Sequence, residues 1–212
     1  MTQKARIVEQ TMHMFVAQGI KSVRMDDIAQ QLGVSKRTLY ELFGDKEGLL
    51  YLAMSCYFEQ HRKQWTELGS DADNVLERLF LVLGNVMEHS ESTYRILENL
   101  RKFYPEVYQK LMRESYEQNK LELRRMLEQG IAEGFFIDSI NIELSILVFY
   151  YTATAITTRR ELIPFEGISE RGAFMQIVSI FFRGISTARG GEIIDGFLKR
   201  WRFDKQEKRI IE

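Results

Sequence analysis

Apolar residues recur at helical spacing along most of the chain, and short polar or glycine punctuation divides them into segments. Ile7, Thr11, Met14 and Phe15 share one helical face, and Gly19 stands where a helix C-terminal glycine belongs. Met25, Ile28, Ala29 and Leu32 follow at i, i+3, i+4 and i+7, with Asp26 and Asp27 suited to the positive end of the helix dipole and Gly33 as a stop. Ser35 offers an N-cap oxygen for a third helix running to Phe43 and Gly44, with Val34 and Leu39 spaced for a hydrophobic staple. Asp45 can cap a fourth helix, whose Leu49, Leu50, Leu52, Ala53, Tyr57 and Phe58 fill more than one face and so require burial.

Beyond Gly69 the pattern predicts longer helices. Val75, Leu76, Leu79, Phe80, Leu83, Val86 and Met87 mark one; Tyr94, Leu97 and Leu100 mark a shorter one ending near Tyr104-Pro105. A long charged helix carrying Leu111, Met112, Leu123, Met126 and Leu127 runs to about Gly134. Asn141 or Asp138 starts the next, through an uncharged run towards Pro164; another spans about Ser169 to Ala188, ahead of Gly190-Gly191. Ile193, Ile194, Phe197 and Leu198 suggest a last short helix, with a frayed, mixed-charge tail after Lys199. The expected fold is all-α: a three-helix N-terminal domain over 1–46, then a larger helical domain over 47–212, with the fourth helix as a strut between them.

Composition narrows this picture. Of 212 residues, 45% are hydrophobic and 28% charged, which excludes a disordered chain. The polar N-terminus shows no signal peptide, and the longest uncharged run, Leu144 to Thr158, is shorter than the roughly 20 residues that cross a bilayer. A cytoplasmic protein with no membrane partner is expected. The lone Cys56 cannot form an intrachain disulfide and reads as packing. The net charge of −1 argues against coating nucleic acid through bulk electrostatics, but residues 1–46 carry seven Lys and Arg against five Asp and Glu, a local excess of the right sign.

Two short helices joined at Leu32-Gly33-Val34, with a third ahead of them, have the spacing of a DNA-binding helix-turn-helix. Ile28, Ala29, Leu32, Leu39 and Phe43 supply the inward face and leave Lys36, Arg37, Thr38 and Tyr40 near the start of the third helix. A recognition helix meets base edges and phosphates with cations and hydroxyls at that end. Singly, Lys36, Arg37 and Lys46 are ordinary surface charges and Tyr40 a half-buried aromatic; the set is what points to DNA. The stretch Gly19 to Leu50, GIKSVRMDDIAQQLGVSKRTLYELFGDKEGLL, closely resembles the signature of the TetR family of bacterial regulators. The resemblance implies DNA contact by Lys36, Arg37, Thr38 and Tyr40, and a phosphate contact by Lys46 at the start of the fourth helix. Where that family usually has threonine at the start of helix two, this chain has Arg24, which loses a capping hydroxyl and offers a charge that can reach a phosphate.

The resemblance further implies a regulator, with repression as the expected output, that binds a palindromic double-stranded operator as a homodimer and is released by a small-molecule effector of unknown identity. In that family the last long helices pair across the two-fold axis, here those over about 142–163 and 169–188; Ala153 and Ala155 permit close approach. Phe80, Tyr94, Phe103, Tyr104, Tyr108, Tyr116, Phe149, Tyr150 and Tyr151 make the larger domain aromatic, mostly as core, and Arg95, Arg101 and Arg159 permit an anionic effector. Two competing classes remain. A nonspecific architectural DNA protein would carry the basic excess that is missing here. A helical enzyme would need a site, yet His13, His61 and His89 are isolated, and no metal spacing, phosphate loop or nucleophile elbow is visible. No metal, cofactor or catalytic residue is assigned.

Overall fold

The structure, a computed structural model, describes residues 2–88, 90–158 and 170–210. It is all-α: α1 (Gln3–Gln18), α2 (Met25–Leu32), α3 (Lys36–Phe43), α4 (Lys46–Leu68), α5 (Val75–Glu88), α6 (Ser90–Phe103), α7 (Pro105–Ala132), α8 (Ile142–Thr158), α9 (Glu170–Gly184) and α10 (Ala188–Ile210). His89, Arg159, Pro164 and Ser169 lie outside the described residues. No described helix is long and apolar enough to cross a membrane.

The chain forms two compact units, Met1–Gln64 with Glu91–Gln118, and Trp65–Ser90 with Asn119–Glu212. In the first, Ile7, Phe15, Ile20, Ile28, Leu39, Leu49, Leu50 and Met54 close a core to which Leu100 of α6 and Leu111 of α7 are added. These are the positions the helical periodicity turns inward, and burying side chains of this size is the main force holding short helices such as α2 and α3 in place. The second unit has an aromatic core. Phe80, Phe136, Phe174 and Phe182 are almost completely buried, with the Phe182 ring 5.0 Å from Phe181, 5.1 Å from Phe149 and 6.0 Å from Phe80. Such separations suit edge-on and tilted ring packing.

The end of the chain differs from expectation. The ninth helix stops at Gly184 rather than Ala188, and Gly190-Gly191 lie inside α10 rather than ahead of it. The last helix is long, with 23 residues, and its backbone continues through the segment expected to fray. Thr187 explains the change. Its hydroxyl accepts from the Gly190 N–H at 3.2 Å, as an N-cap does, and donates to the Gly134 carbonyl at 2.8 Å. Either side of it, Thr187 N–H donates to Phe135 O and Ile137 N–H to Ile185 O, both at 2.9 Å, so the α7–α8 and α9–α10 turns are joined by an isolated antiparallel bridge. Asn141, rather than Asp138, caps α8, accepting from Leu144 N–H at 3.0 Å.

Gly190 is required by that junction, because a Cβ on it would lie 2.2 Å from the Phe135 carbonyl oxygen, a backbone atom with little room to move. Gly191 has nothing within 4 Å of the same position. Gly190→Ala is therefore expected to destabilise the protein by about 1–3 kcal/mol through overpacking, whereas Gly191→Ala should be neutral or slightly stabilising. Thermal unfolding of the two variants side by side checks this; equal midpoints would contradict the close approach.

Candidate nucleic-acid interface

The residues of α2 and α3 leave little freedom in how the two helices meet. Gly33 ends α2 in the left-handed region, at φ 63° and ψ 35°. Its N–H donates to Gln30 O and the following Val34 N–H to Ala29 O at 3.0 Å, the paired bonds that close a helix C-terminus. Two residues later Ser35 caps α3, its Oγ accepting from Thr38 N–H at 3.0 Å. Leu39 is fully buried behind α3. Arg24 stands at the N-cap of α2 without a side-chain cap bond; instead Asp27 reaches back and accepts from the Arg24 N–H at 2.8 Å. An arginine side chain has only donors, so half of a capping box survives here.

With this scaffold set, Arg24, Lys36, Arg37 and Tyr40 are exposed, while Thr38 and Lys46 are half-buried. The cations are not free in the absence of DNA. Lys36 Nζ lies 2.7 Å from Asp26 across the α2–α3 pair, and Arg37 Nε lies 2.7 Å from Glu41 one turn along α3. The hydrogen bond from Lys36 to Asp26, reinforced by the carboxylate charge, raises the lysine pKa above its ordinary value, so the ammonium is fully charged at neutral pH. Both pairs are exposed to water, where such contacts are weak and screened by salt, and a phosphate can displace the carboxylate. The Thr38 hydroxyl shares a 2.8 Å hydrogen bond with Ser35 and so helps lock the cap. Lys46 donates from Nζ to the Ile20 carbonyl at 2.7 Å. The partners Asp26 and Ile20 are contacts between separate elements that no periodicity reveals; Glu41, four residues after Arg37, was visible in the spacing.

A second feature of the same unit is a groove of about 350 Å³ between α4 and α7, lined by Tyr51, Ser55, Cys56, Phe58, Glu59, Arg62, Leu111, Glu114, Ser115 and Gln118. The Tyr51 hydroxyl lies 2.9 Å from both Glu114 carboxylate oxygens and donates to that group. The Arg62 guanidinium donates to Glu59 and to Gln118, and Glu59's pKa falls because of that hydrogen bond and the arginine charge. Burial pushes the Cys56 thiol pKa up, which keeps it protonated and unreactive. The Ser55 hydroxyl is buried and has no hydrogen-bond partner. Arg95 and Arg101, the arginines expected to favour an anionic effector, are exposed on α6 and do not line this groove.

An all-helical chain with a capped helix, a left-handed glycine turn and a second capped helix carrying exposed cations is a helix-turn-helix DNA-binding protein. The family profile described as bacterial regulatory proteins, tetR family, matches residues 7–51, and the chain is a DNA-binding transcriptional regulator of that family. The family is not enzymatic. The chain is similar to the HTH-type transcriptional repressor KstR2 of Mycobacterium tuberculosis, 24% identical over 68% of this chain and 74% of that one. It is also similar to KstR2 of Mycolicibacterium smegmatis, 23% identical over 84% and 87%. Among solved structures, a TetR transcription regulator from Haloarcula marismortui shares the fold with a TM-score of 0.69 at 19% identity, covering 87% of this chain and 98% of that one.

Proposed function

We propose that this regulator binds a palindromic duplex operator as a homodimer, represses transcription there, and is released by a small-molecule effector. The observation that carries the reading is the start of α3, where Ser35 fixes the helix and Lys36, Arg37 and Tyr40 stand exposed over a buried Leu39. In this reading Lys36, Arg37, Thr38 and Tyr40 form the recognition surface, Arg24 reaches a flanking phosphate, and Lys46 belongs to the region through the first turn of α4. A domain boundary near residue 46 follows if the region up to that lysine is taken as the DNA-binding module. The word repressor in the names of the KstR2 relatives supports repression as the output. The compartment is the cytoplasm, where a bacterial regulator meets its operator.

The dimer is supported by an apolar stripe without a covering element. Leu144, Leu147, Val148 and Tyr151 repeat at i, i+3, i+4 and i+7 on α8, with Tyr151 66% exposed; Ile180 on α9 is 71% exposed. Large aliphatic and aromatic groups in such a row are costly in water and suit a two-fold interface, which also sets two recognition helices about 34–36 Å apart for successive half-sites. The effector reading is supported by the α4–α7 groove, whose volume suits a small molecule and whose buried Ser55 hydroxyl lacks a partner that a ligand's polar atom would supply.

Selection from a random-sequence duplex pool is expected to recover a palindrome, and a folded Lys36→Ala, Arg37→Ala, Tyr40→Ala variant should lose it, at roughly ten-fold or more for each side chain that reads a base. Recovery of no preferred sequence would favour a nonspecific architectural protein. Sedimentation at micromolar concentration should give a dimer, and Leu147→Glu with Tyr151→Glu should give a monomer; a monomeric parent chain would reject the interface. For the effector, a compound found by thermal shift should lower operator affinity by the same factor as operator lowers its own affinity, since coupling is reciprocal. Ser55→Ala and Glu114→Gln should weaken that compound; binding unaffected by both would reject the groove as its site.

A further inference from the structure

We infer that Lys46 contributes to DNA binding as a positioning residue, fastening the turn between α1 and α2 to the corner between α6 and α7, rather than as a ligand of a DNA phosphate. The inference rests on the reading of α3 as the recognition helix and changes the means by which one residue serves it. Lys46 is the first residue of α4, where a cation sits at the unfavourable end of the helix dipole and needs compensation from elsewhere. It finds that compensation inward. Its Nζ donates to the carbonyl of Ile20 at 2.7 Å, a partly buried bond, and lies 5.8 Å from the centre of the Phe15 ring and 5.5 Å from that of Tyr104. Phe15 and Ile20 are each 1% exposed, so two of the three elements it touches cannot move away without opening the core.

A neighbouring contact runs the same way. Lys21, the residue after Ile20, places its ammonium 4.5 Å from the centre of the Phe103 ring. Successive residues of the α1–α2 turn are thus tied to successive aromatics at the end of α6, one directly and one through Lys46, immediately before Pro105 opens α7. All these residues lie in one compact unit. The α1–α2 turn delivers the chain into α2, so its position sets where α2, and α3 behind it, can stand. An ammonium held by a carbonyl and two ring faces has exchanged its water for protein partners, and turning it towards a phosphate would break all three contacts.

The test uses the full chain, the variants Lys46→Met, Tyr104→Leu and Tyr104→Phe, and two measurements. Amide hydrogen exchange without DNA should quicken by about ten-fold in the 19–23 turn for Lys46→Met and Tyr104→Leu, through local opening, and stay as in the parent for Tyr104→Phe, which keeps the ring face. Binding to the duplex recovered by selection should weaken for Lys46→Met and Tyr104→Leu, with the slope of log affinity against log salt unchanged. Exchange in the turn unaltered by Lys46→Met overturns the inference. So does a slope shallower by about 0.9 in that variant, the signature of one lost phosphate contact. Failure to recover any preferred duplex would reject the DNA reading, while the exchange measurement would still decide whether Lys46 holds the turn.

Discussion

The DNA-binding region depends on one backbone torsion. At Gly33 the chain passes through φ 63°, and only there can α2 end with its last carbonyls satisfied while α3 starts two residues later in a new direction. A Cβ at Gly33 would meet nothing within 4 Å, so space is not what demands glycine. The demand is conformational, since an L side chain in that region crowds its own carbonyl. From this torsion the rest follows in order: Val34 turns in towards the core, Ser35 reaches the α3 amides, Leu39 is buried, and Lys36, Arg37 and Tyr40 have no inward position left to occupy.

That order explains what was legible in the sequence. α1 to α4 are punctuated by residues with local physical roles: Gly19, Gly33 and Gly44 at positive φ, and Ser35 and Asp45 as caps. Because each signal acts within four residues of its own position, the first fifty residues could be read directly, including which side chains of α3 are exposed. The chain end could not. Gly190-Gly191 has the look of a terminator, yet Gly190 is small because a distant carbonyl, that of Phe135, presses against it, and Thr187 begins the helix that the glycines were expected to follow.

The same distinction separates the two candidate sites. Exposed positions on α3 come from helical periodicity, but the pairing of Lys36 with Asp26, and of Lys46 with Ile20, depends on contacts between elements. The α4–α7 groove is less accessible still to sequence reading. Arg62 and Gln118, which meet across it, are separated by 56 positions, and an unpartnered Ser55 hydroxyl is recognised only once its surroundings are known. Scattered arginines drew attention to Arg95 and Arg101, while the one at the groove carries no distinguishing local pattern.

The ion pairs on the proposed recognition face bear on how such a protein would search a chromosome. Lys36 and Arg37 each already hold a carboxylate, so contact with an arbitrary phosphate exchanges one anion for another and returns little free energy. Only a site whose bases also engage Tyr40 and the neighbouring donors adds something the carboxylates cannot offer. Internal neutralisation would therefore shorten residence on random duplex more than on the correct one, speeding passage from wrong sites to right ones without any stronger contact at the operator.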